Sequence, residues 1–286
     1  MFSTRDNEHN ARRRRQVLPL YQIGALTNIE WQVDNTTTTF MEIMAQFARE
    51  GKVVDIAEWV QYYTFDAIGA LTVRVRVLSR SCKLLIVPQF GKPFGFLKDA
   101  TDIAGMISII HGVVRYSAVM GVYSEWHSIV IRVMQSLSSQ GEVGITYLYK
   151  FVADSIADWN ASSKEDKSLQ EEKSEGGALL EGDYLGSMLA KARRTPEKFK
   201  VEDTNYHLLA QVGAGGETTG NEMCAAIYFL CKYPGVLEKL RVEVEDVKMR
   251  SKGARITAKE AHECSYLQVR IPSVASLSCS VLHSES

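Results

Sequence analysis

The chain has 286 residues, 45% of them hydrophobic and 23% charged, a composition typical of a soluble globular protein with one large domain or two ordinary ones. Its net charge of -1 argues against a nucleic-acid partner. Five cysteines without C-x-x-C spacing and six histidines without H-E-x-x-H spacing argue against a disulfide framework and a metal site.

Helical patterns dominate the first part of the chain. Residues 36–50 place apolar side chains at i, i+3, i+4 and i+7, and Gly51 follows as a typical helix stop. Residues 53–71 form a more continuously apolar helical pattern, and residues 102–122 a glycine-containing one. Residues 73–90 are β-branched, basic and free of acidic residues, which predicts a short pair of strands.

The second part alternates between polar and helical segments. Residues 160–182 are charged and glycine-bearing, which predicts a flexible loop. Residues 203–232 and 236–250 have helical patterns, with Pro234 between them. Residues 257–260, TAKE, have the form of a capping box that begins a short helix, whereas the serine-rich residues 269–286 predict a disordered tail. The sequence therefore predicts a mainly α protein.

A glycine-rich stretch, GAGGETTG, occupies residues 213–220. A phosphate loop of the P-loop type requires a lysine where Asn221 stands, and a dinucleotide loop requires different glycine spacing after a strand, so both phosphate sites are excluded.

Two interpretations remain on chemistry alone. Small residues could interrupt the helix and let a flat group approach, with Glu217 and Thr218 as a proton-handling pair beside that space. Alternatively, the small residues serve close packing between two helices.

Residues 214–219, AGGETT, resemble the [AG]-G-x-[DE]-T-[TS] signature of the cytochrome P450 monooxygenases, which lies in the long central helix over the heme. The flanking ETTGNEMCAAIYFLCKYPGVLEKLRVEVEDV is similar to that helix and the next one. Upstream, GKVVDIAEWVQYYTFDAIG and GKPFGFL resemble fungal members of the pisatin-demethylase-like kind. The opening MFSTRDNEHNARRRRQV resembles the C helix of the family, with its H-x-x-x-R motif.

The resemblance implies roles for four residues on the oxygen side of the heme. Thr218 would help hold and protonate the dioxygen that the heme activates, and Glu217 would serve the proton relay. Ala214 and Gly215 would leave room for oxygen and substrate.

The resemblance also implies that Arg13, with His9, pairs a heme propionate, because the arginine fork suits a carboxylate. A solvated helix face is the alternative for the basic run of residues 12–15.

The chain departs from the family pattern in three places. It contains no F-x-x-G-x-R-x-C-x-G loop, and Cys264 and Cys279 lie in other surroundings. The E-x-x-R pair is absent, and so are the N-terminal anchor and the first sheet strands. We therefore expect residues 1–268 to form a partial cytochrome P450 fold, from the C helix to just before the E-x-x-R helix, without the heme-ligand region, truncated and inactive.

Two segments without family resemblance begin alike. Residues 73–90 start with Val-Arg-Val and the tail from residue 269 starts with Val-Arg-Ile, and codons for Val-Arg can match fungal intron starts. Deleting residues 73–90 joins ALT to GKPFGFL, as relatives read. Our hypothesis is that both segments are translated introns, which a transcript spliced after the codons for Thr72 and Gln268 would establish.

The function expected from the resemblance is oxygen insertion into an apolar small molecule of fungal secondary metabolism, with heme b as the cofactor and a reductase as the electron donor. The alternative is a non-catalytic helical binding module. No run of about 18 apolar residues and no signal peptide is recognisable, so we expect no membrane span and a cytoplasmic location, although intact relatives are anchored to the endoplasmic reticulum.

Overall fold

The computed structural model describes residues 6–72, 94–137, 149–150, 152–154, 156–157, 184–251 and 255–269. These residues form helices and turns and contain no strand, which confirms the predicted mainly α class. The predicted strand pair at 73–90, the predicted loop at 160–182 and the tail after Val269 lie outside the described residues.

The described ranges contain nine helices of six or more residues, numbered in chain order. They are α1 (Asn7–Val17), α2 (Glu30–Glu50), α3 (Ile56–Thr72), α4 (Met106–Val122), α5 (His127–Leu137), α6 (Tyr184–Arg194), α7 (Val201–Lys232), α8 (Pro234–Arg250) and α9 (Ala258–Glu263). Shorter turns are Leu18–Tyr21, Ile23–Leu26, Thr27–Ile29, Phe96–Asp99, Ile103–Gly105 and Ser124–Trp126.

The chain divides into two compact units. The first unit comprises residues 1–52 and 62–217, and the second comprises residues 53–61 and 218–286. Of the three boundaries along the chain, one lies in the non-helical stretch before α3, one inside α3 and one inside α7.

The hydrophobic core of the first unit surrounds α6. Leu185 and Met188 of this helix are fully buried, as are Phe199, two residues before α7, and Leu208 of α7. Ile29 completes this core from the turn before α2. The 3.6-residue period of α6 puts its apolar residues on one face, so the burial of that face stabilises the helix.

A second apolar group of the first unit joins α2, α3 and the residues after position 93. The rings of Phe65 and Phe96 lie 5.6 Å apart, and those of Phe40 and Tyr63 lie 5.0 Å apart. The Tyr63 hydroxyl is also 2.9 Å from the Thr37 hydroxyl, so its polar end is satisfied where it is buried.

Asp66 of α3 anchors the chain where it returns to this unit. Its carboxylate accepts hydrogen bonds from the amides of Gly95 at 2.7 Å, Phe96 at 3.2 Å and Leu97 at 2.9 Å. One turn further along α3, a Cβ on Gly69 would lie 2.7 Å from the Phe94 ring. The chain therefore returns against the C-terminal part of the helix that it left.

In the second unit, polar contacts order the segments around α8 and α9. Thr257 caps α9, and Glu260 bonds back to the Thr257 amide, which confirms the predicted capping box. The Glu243 carboxylate accepts the amides of Tyr266 at 2.8 Å and Leu267 at 3.0 Å. These bonds tie residues 265–269 to α8.

One helical stretch among the described residues, Ile103–Val122, is long and apolar enough to span a membrane by length and composition, with a mean hydropathy of 1.5. The sequence led us to expect no helix of this length and apolarity, and Ile103–Val122 is an exception to that expectation. A single helix of this kind is weak evidence that the chain crosses a membrane.

Candidate functional site

The glycine-rich motif lies in the middle of α7. This helix runs without interruption from Val201 to Lys232, so the interruption considered from the sequence does not occur. Because the motif begins 12 residues into the helix, its amides are inside the helical ladder and do not converge on an anion. The position of the motif in mid-helix therefore agrees with the sequence analysis, which excluded a phosphate loop.

Two glycines of the motif serve helix packing. A Cβ on Gly216 would lie 2.7 Å from the buried Phe65 ring of α3, and a Cβ on Gly215 would lie 3.0 Å from Ile68. The absence of side chains at these positions lets α7 approach α3 closely. The structure thus brings Gly215 to a helix interface, whereas the resemblance implied open space for a ligand at this residue.

The opposite part of the motif is open. A Cβ on Gly213 would meet nothing within 4 Å, and Ala214 and Thr218 are both exposed. Ala214 and Thr218 are four residues apart, so they share one face of α7. Ala214 and Thr218 present small side chains at this face, so a flat group could approach α7 there. The two interpretations of the motif therefore apply to different faces of one helix.

Glu217 of the motif meets a histidine from α4. Its Oε1 lies 3.5 Å from His111 Nε2, and the two side chains are 14% and 39% exposed. A carboxylate and an imidazole at this distance form an ion pair when the ring is protonated. Sequence reasoning did not find His111, because nothing local distinguishes it from the other histidines.

The other predicted cofactor residues, His9 and Arg13, lie on α1. Asp6 caps this helix by accepting the amides of Glu8 and His9, and these bonds lower the pKa of its carboxyl. Arg13 is 3.8 Å from Asp203 and stacks at 4.5 Å over Tyr206, both near the start of α7. At about 1.5 Å per residue, Asp203 is about 16 Å along α7 from the motif.

A cleft of about 600 Å³ adjoins Arg13 in the first unit. Cationic side chains outnumber acidic ones in its lining, which includes Arg12, Arg13, Arg15, Lys191 and Lys198 together with Glu197 and Asp203. Burial lowers the pKa of Lys191. The excess positive charge suits an anionic group such as a carboxylate, and the propionate role of His9 and Arg13 stays a prediction.

The family model of the cytochromes P450 matches residues 1–271. The chain belongs to the cytochrome P450 family. With the helical architecture, this match confirms the predicted partial cytochrome P450 fold.

Three fungal cytochromes P450 illustrate the similarity. Pisatin demethylase of Fusarium vanettenii is 26% identical over 273 residues, covering 95% of this chain and 47% of that protein. Cytochrome P450 monooxygenase ACRTS1 of Alternaria alternata is 24% identical, covering 81% and 55%. Benzoate 4-monooxygenase bphA of Aspergillus niger is 24% identical, covering 86% and 46%. The chain spans about half the length of these relatives.

Cytochromes P450 carry heme, whose iron is held by a cysteine thiolate. The exposed small-residue face of α7 fits the oxygen side of such a group. Two of the three described cysteines, Cys224 and Cys264, fit the axial ligand poorly. Burial raises the pKa of Cys224 and of Cys264, and the Cys264 thiol bonds the Glu260 carbonyl at 3.6 Å. Both are therefore protonated thiols at neutral pH.

Proposed function

We propose that this chain provides the oxygen- and substrate-facing part of a heme monooxygenase that oxidises an apolar small molecule. One observation carries the proposal: the AGGETT motif lies in mid-helix with Ala214 and Thr218 on an open face and Glu217 beside it. Family membership and the names of the fungal relatives support it.

The residues of the motif have distinct parts in this proposal. When bound, heme supplies the activation of oxygen. The methyl group of Ala214 leaves space above α7 for the substrate. The Thr218 hydroxyl donates and accepts hydrogen bonds at that face, and the Glu217 carboxylate takes up and releases protons one residue away.

The names of two relatives, which refer to pisatin and to benzoate, support a proposal for the substrate class. We propose a small, largely apolar molecule of fungal secondary metabolism as the substrate and a reductase as the source of the two electrons. Arg13 and His9 would hold a propionate only after Arg13 leaves Asp203.

The test starts from the protein that the transcript encodes, produced together with a reductase. Its carbon-monoxide difference spectrum should show thiolate-bound heme, and one atom from ¹⁸O₂ should appear in the product. Thr218→Ala should divert reducing equivalents from product to peroxide, whereas Thr219→Ala, the adjacent exposed threonine, should change this ratio less. A heme-free protein, or equal effects of both substitutions, would contradict the proposal.

A non-catalytic helical binding module is the second candidate. The buried position of Cys264, whose thiol bonds the Glu260 carbonyl at 3.6 Å, favours it for the 286-residue chain by itself. We propose that this polypeptide alone does not form thiolate-bound heme. Heme titration of the purified chain tests this, and a Soret band of the thiolate type in the carbon-monoxide complex would refute it. Capture of a defined partner without heme absorbance would support the binding module.

A further inference from the structure

The pair of His111 and Glu217 connects the motif to a helix that is otherwise little buried. Only 11% of the apolar window of Ile103–Val122 is buried, so α4 makes few contacts of the kind that fix a core helix. Its His111 nevertheless reaches the carboxylate of the motif at 3.5 Å. Glu217 is 14% exposed, so solvent screens this carboxylate less than one on the surface.

The other titratable groups around Glu217 are engaged elsewhere or distant. They are Asp66 on α3, Arg115 on α4, and His207 and Glu222 on α7. Asp66 is bonded to the amides of residues 95–97, and Arg115 and Glu222 are exposed. His207 is ten residues before Glu217, about 15 Å along the helix. Within the described part of the chain, His111 is therefore the group that can pair with Glu217 at close range.

We propose that His111 is a positioning residue for Glu217. A charged His111 ring attracts the Glu217 carboxylate and keeps it directed towards α4. A neutral ring releases the carboxylate, which can then exchange a proton along the face that carries Ala214 and Thr218. The proton-transfer part rests on the proposed function, whereas the pairing itself does not.

The pair can be measured without heme by a double-mutant cycle on thermal unfolding. The variants are His111→Gln, Glu217→Gln and the double substitution, each at pH 5.5 and pH 8.5. The lower pH favours the charged form of an imidazole and the higher pH its neutral form, so the cycle compares the two forms of the pair. For a partly exposed pair, we expect a deviation from additivity of about 1–2 °C in Tm at pH 5.5, and none at pH 8.5.

His111→Lys separates positioning from a packing role. The lysine keeps a positive charge at both pH values, so its coupling to Glu217 should persist at pH 8.5. His127 of α5 is the matched control, because its Nδ1 lies 2.8 Å from the Tyr116 hydroxyl. His127→Gln combined with Glu217→Gln should be additive at both pH values. The proposal is overturned if His111 and Glu217 show no coupling at pH 5.5, or if their coupling is equal at both pH values. It is also overturned if the His111→Lys variant shows no coupling to Glu217 at pH 8.5.

A second measurement uses the holoprotein and tests the functional part. If Glu217 transfers protons, the yield of product per reducing equivalent should depend on pH in the wild type, and His111→Gln should flatten that profile. His127→Gln should leave the profile unchanged. If the thermal cycle shows coupling but no product forms, the pairing stands and the monooxygenase proposal fails. If product forms but the thermal cycle shows no coupling, the monooxygenase proposal stands and the pairing of His111 with Glu217 fails.

Discussion

Glycines only three residues apart in α7 have opposite surroundings. Gly216 packs against the Phe65 ring, and a Cβ added to Gly216 would lie 2.7 Å from that ring. A Cβ added to Gly213 would meet nothing within 4 Å. Phe65 is fully buried, so its ring cannot move away easily. The same methyl group should therefore have opposite effects on stability at the two positions.

We predict that Gly216→Ala lowers the free energy of unfolding by about 1–3 kcal/mol, because overpacking outweighs the gain in helix propensity. Gly213→Ala should raise it by about 0.5–1 kcal/mol, because alanine is the better helix former and meets no neighbour. Urea denaturation with unchanged m-values measures both. A stabilising effect at Gly216 would show that the two helices are not in close contact.

Asp66 is a buried carboxylate with three amide donors. Burial raises the pKa of Asp66 above its ordinary value, because desolvation outweighs the hydrogen bonds from the amides. The folded protein therefore binds this proton more tightly than the unfolded chain. The contribution of Asp66 to stability is complete at acidic pH and is lost as the pH rises through its folded pKa.

Asp66→Asn removes this titration while keeping one acceptor oxygen. We predict that the wild type, measured relative to this variant, is more stable near pH 4 than near pH 7. Urea midpoints of both proteins across this range give the comparison. A difference that grows with pH would mean that the amide hydrogen bonds dominate over desolvation. Asp66→Ala, which leaves all three amides without their acceptor, should cost about 3 kcal/mol near pH 4 and less near pH 7.

At the scale of single elements, the capping box of α9 is a local device. Thr257→Ala removes the hydroxyl that accepts the Glu260 amide, and we predict a loss of about 1 kcal/mol, while Thr257→Ser retains the cap. Amide exchange at residues 258–261 reports the effect directly. Equal exchange in the alanine and serine variants would show that the cap does not hold this helix.

The sequence predicted the helices where their signals are local. Gly51, with φ of 63°, ends α2 as its position after the apolar period suggested, and Thr257 begins α9 as its capping pattern suggested. The helical pattern of residues 203–232 predicted a long α7, but the contacts that keep it continuous through the glycines were not predicted. Glycine propensity alone weakens a helix, and the contacts of Phe65 and Ile68 that stabilise this one come from α3.

The candidate site was predicted only in part, for the same reason. The motif itself, with Glu217 and Thr218, is readable from neighbouring residues. The pairs Gly216–Phe65 and Glu217–His111 join residues more than 100 positions apart, and no local pattern specifies which helices become neighbours. Arg13 was expected to meet a propionate, and its contact with Asp203 likewise depends on how α1 and α7 pack.

At the scale of the whole molecule, stability should depend on the core around α6. Leu185 is fully buried there, and we predict that Leu185→Ala lowers the free energy of unfolding by about 3 kcal/mol through lost burial and a residual cavity. Val242 of α8 is 61% exposed, so Val242→Ala should change the free energy of unfolding by less than about 0.5 kcal/mol. Similar losses at both sites would contradict the assignment of this core.

The return of the chain at Phe94 against Gly69 has a consequence for gene structure. If residues 73–90 were absent, three residues would remain between Thr72 and Phe94, and four peptide links reach about 13 Å. Helix α3 extends only three residues beyond Gly69, about 5 Å, so the short connection can close. Lengthening it costs only about 0.6 kcal/mol per doubling. Going from 3 to 21 connecting residues is nearly three doublings and costs about 1.7 kcal/mol. Products of both transcripts should therefore reach the same arrangement of Asp66 and residues 95–97, with the longer product the less stable.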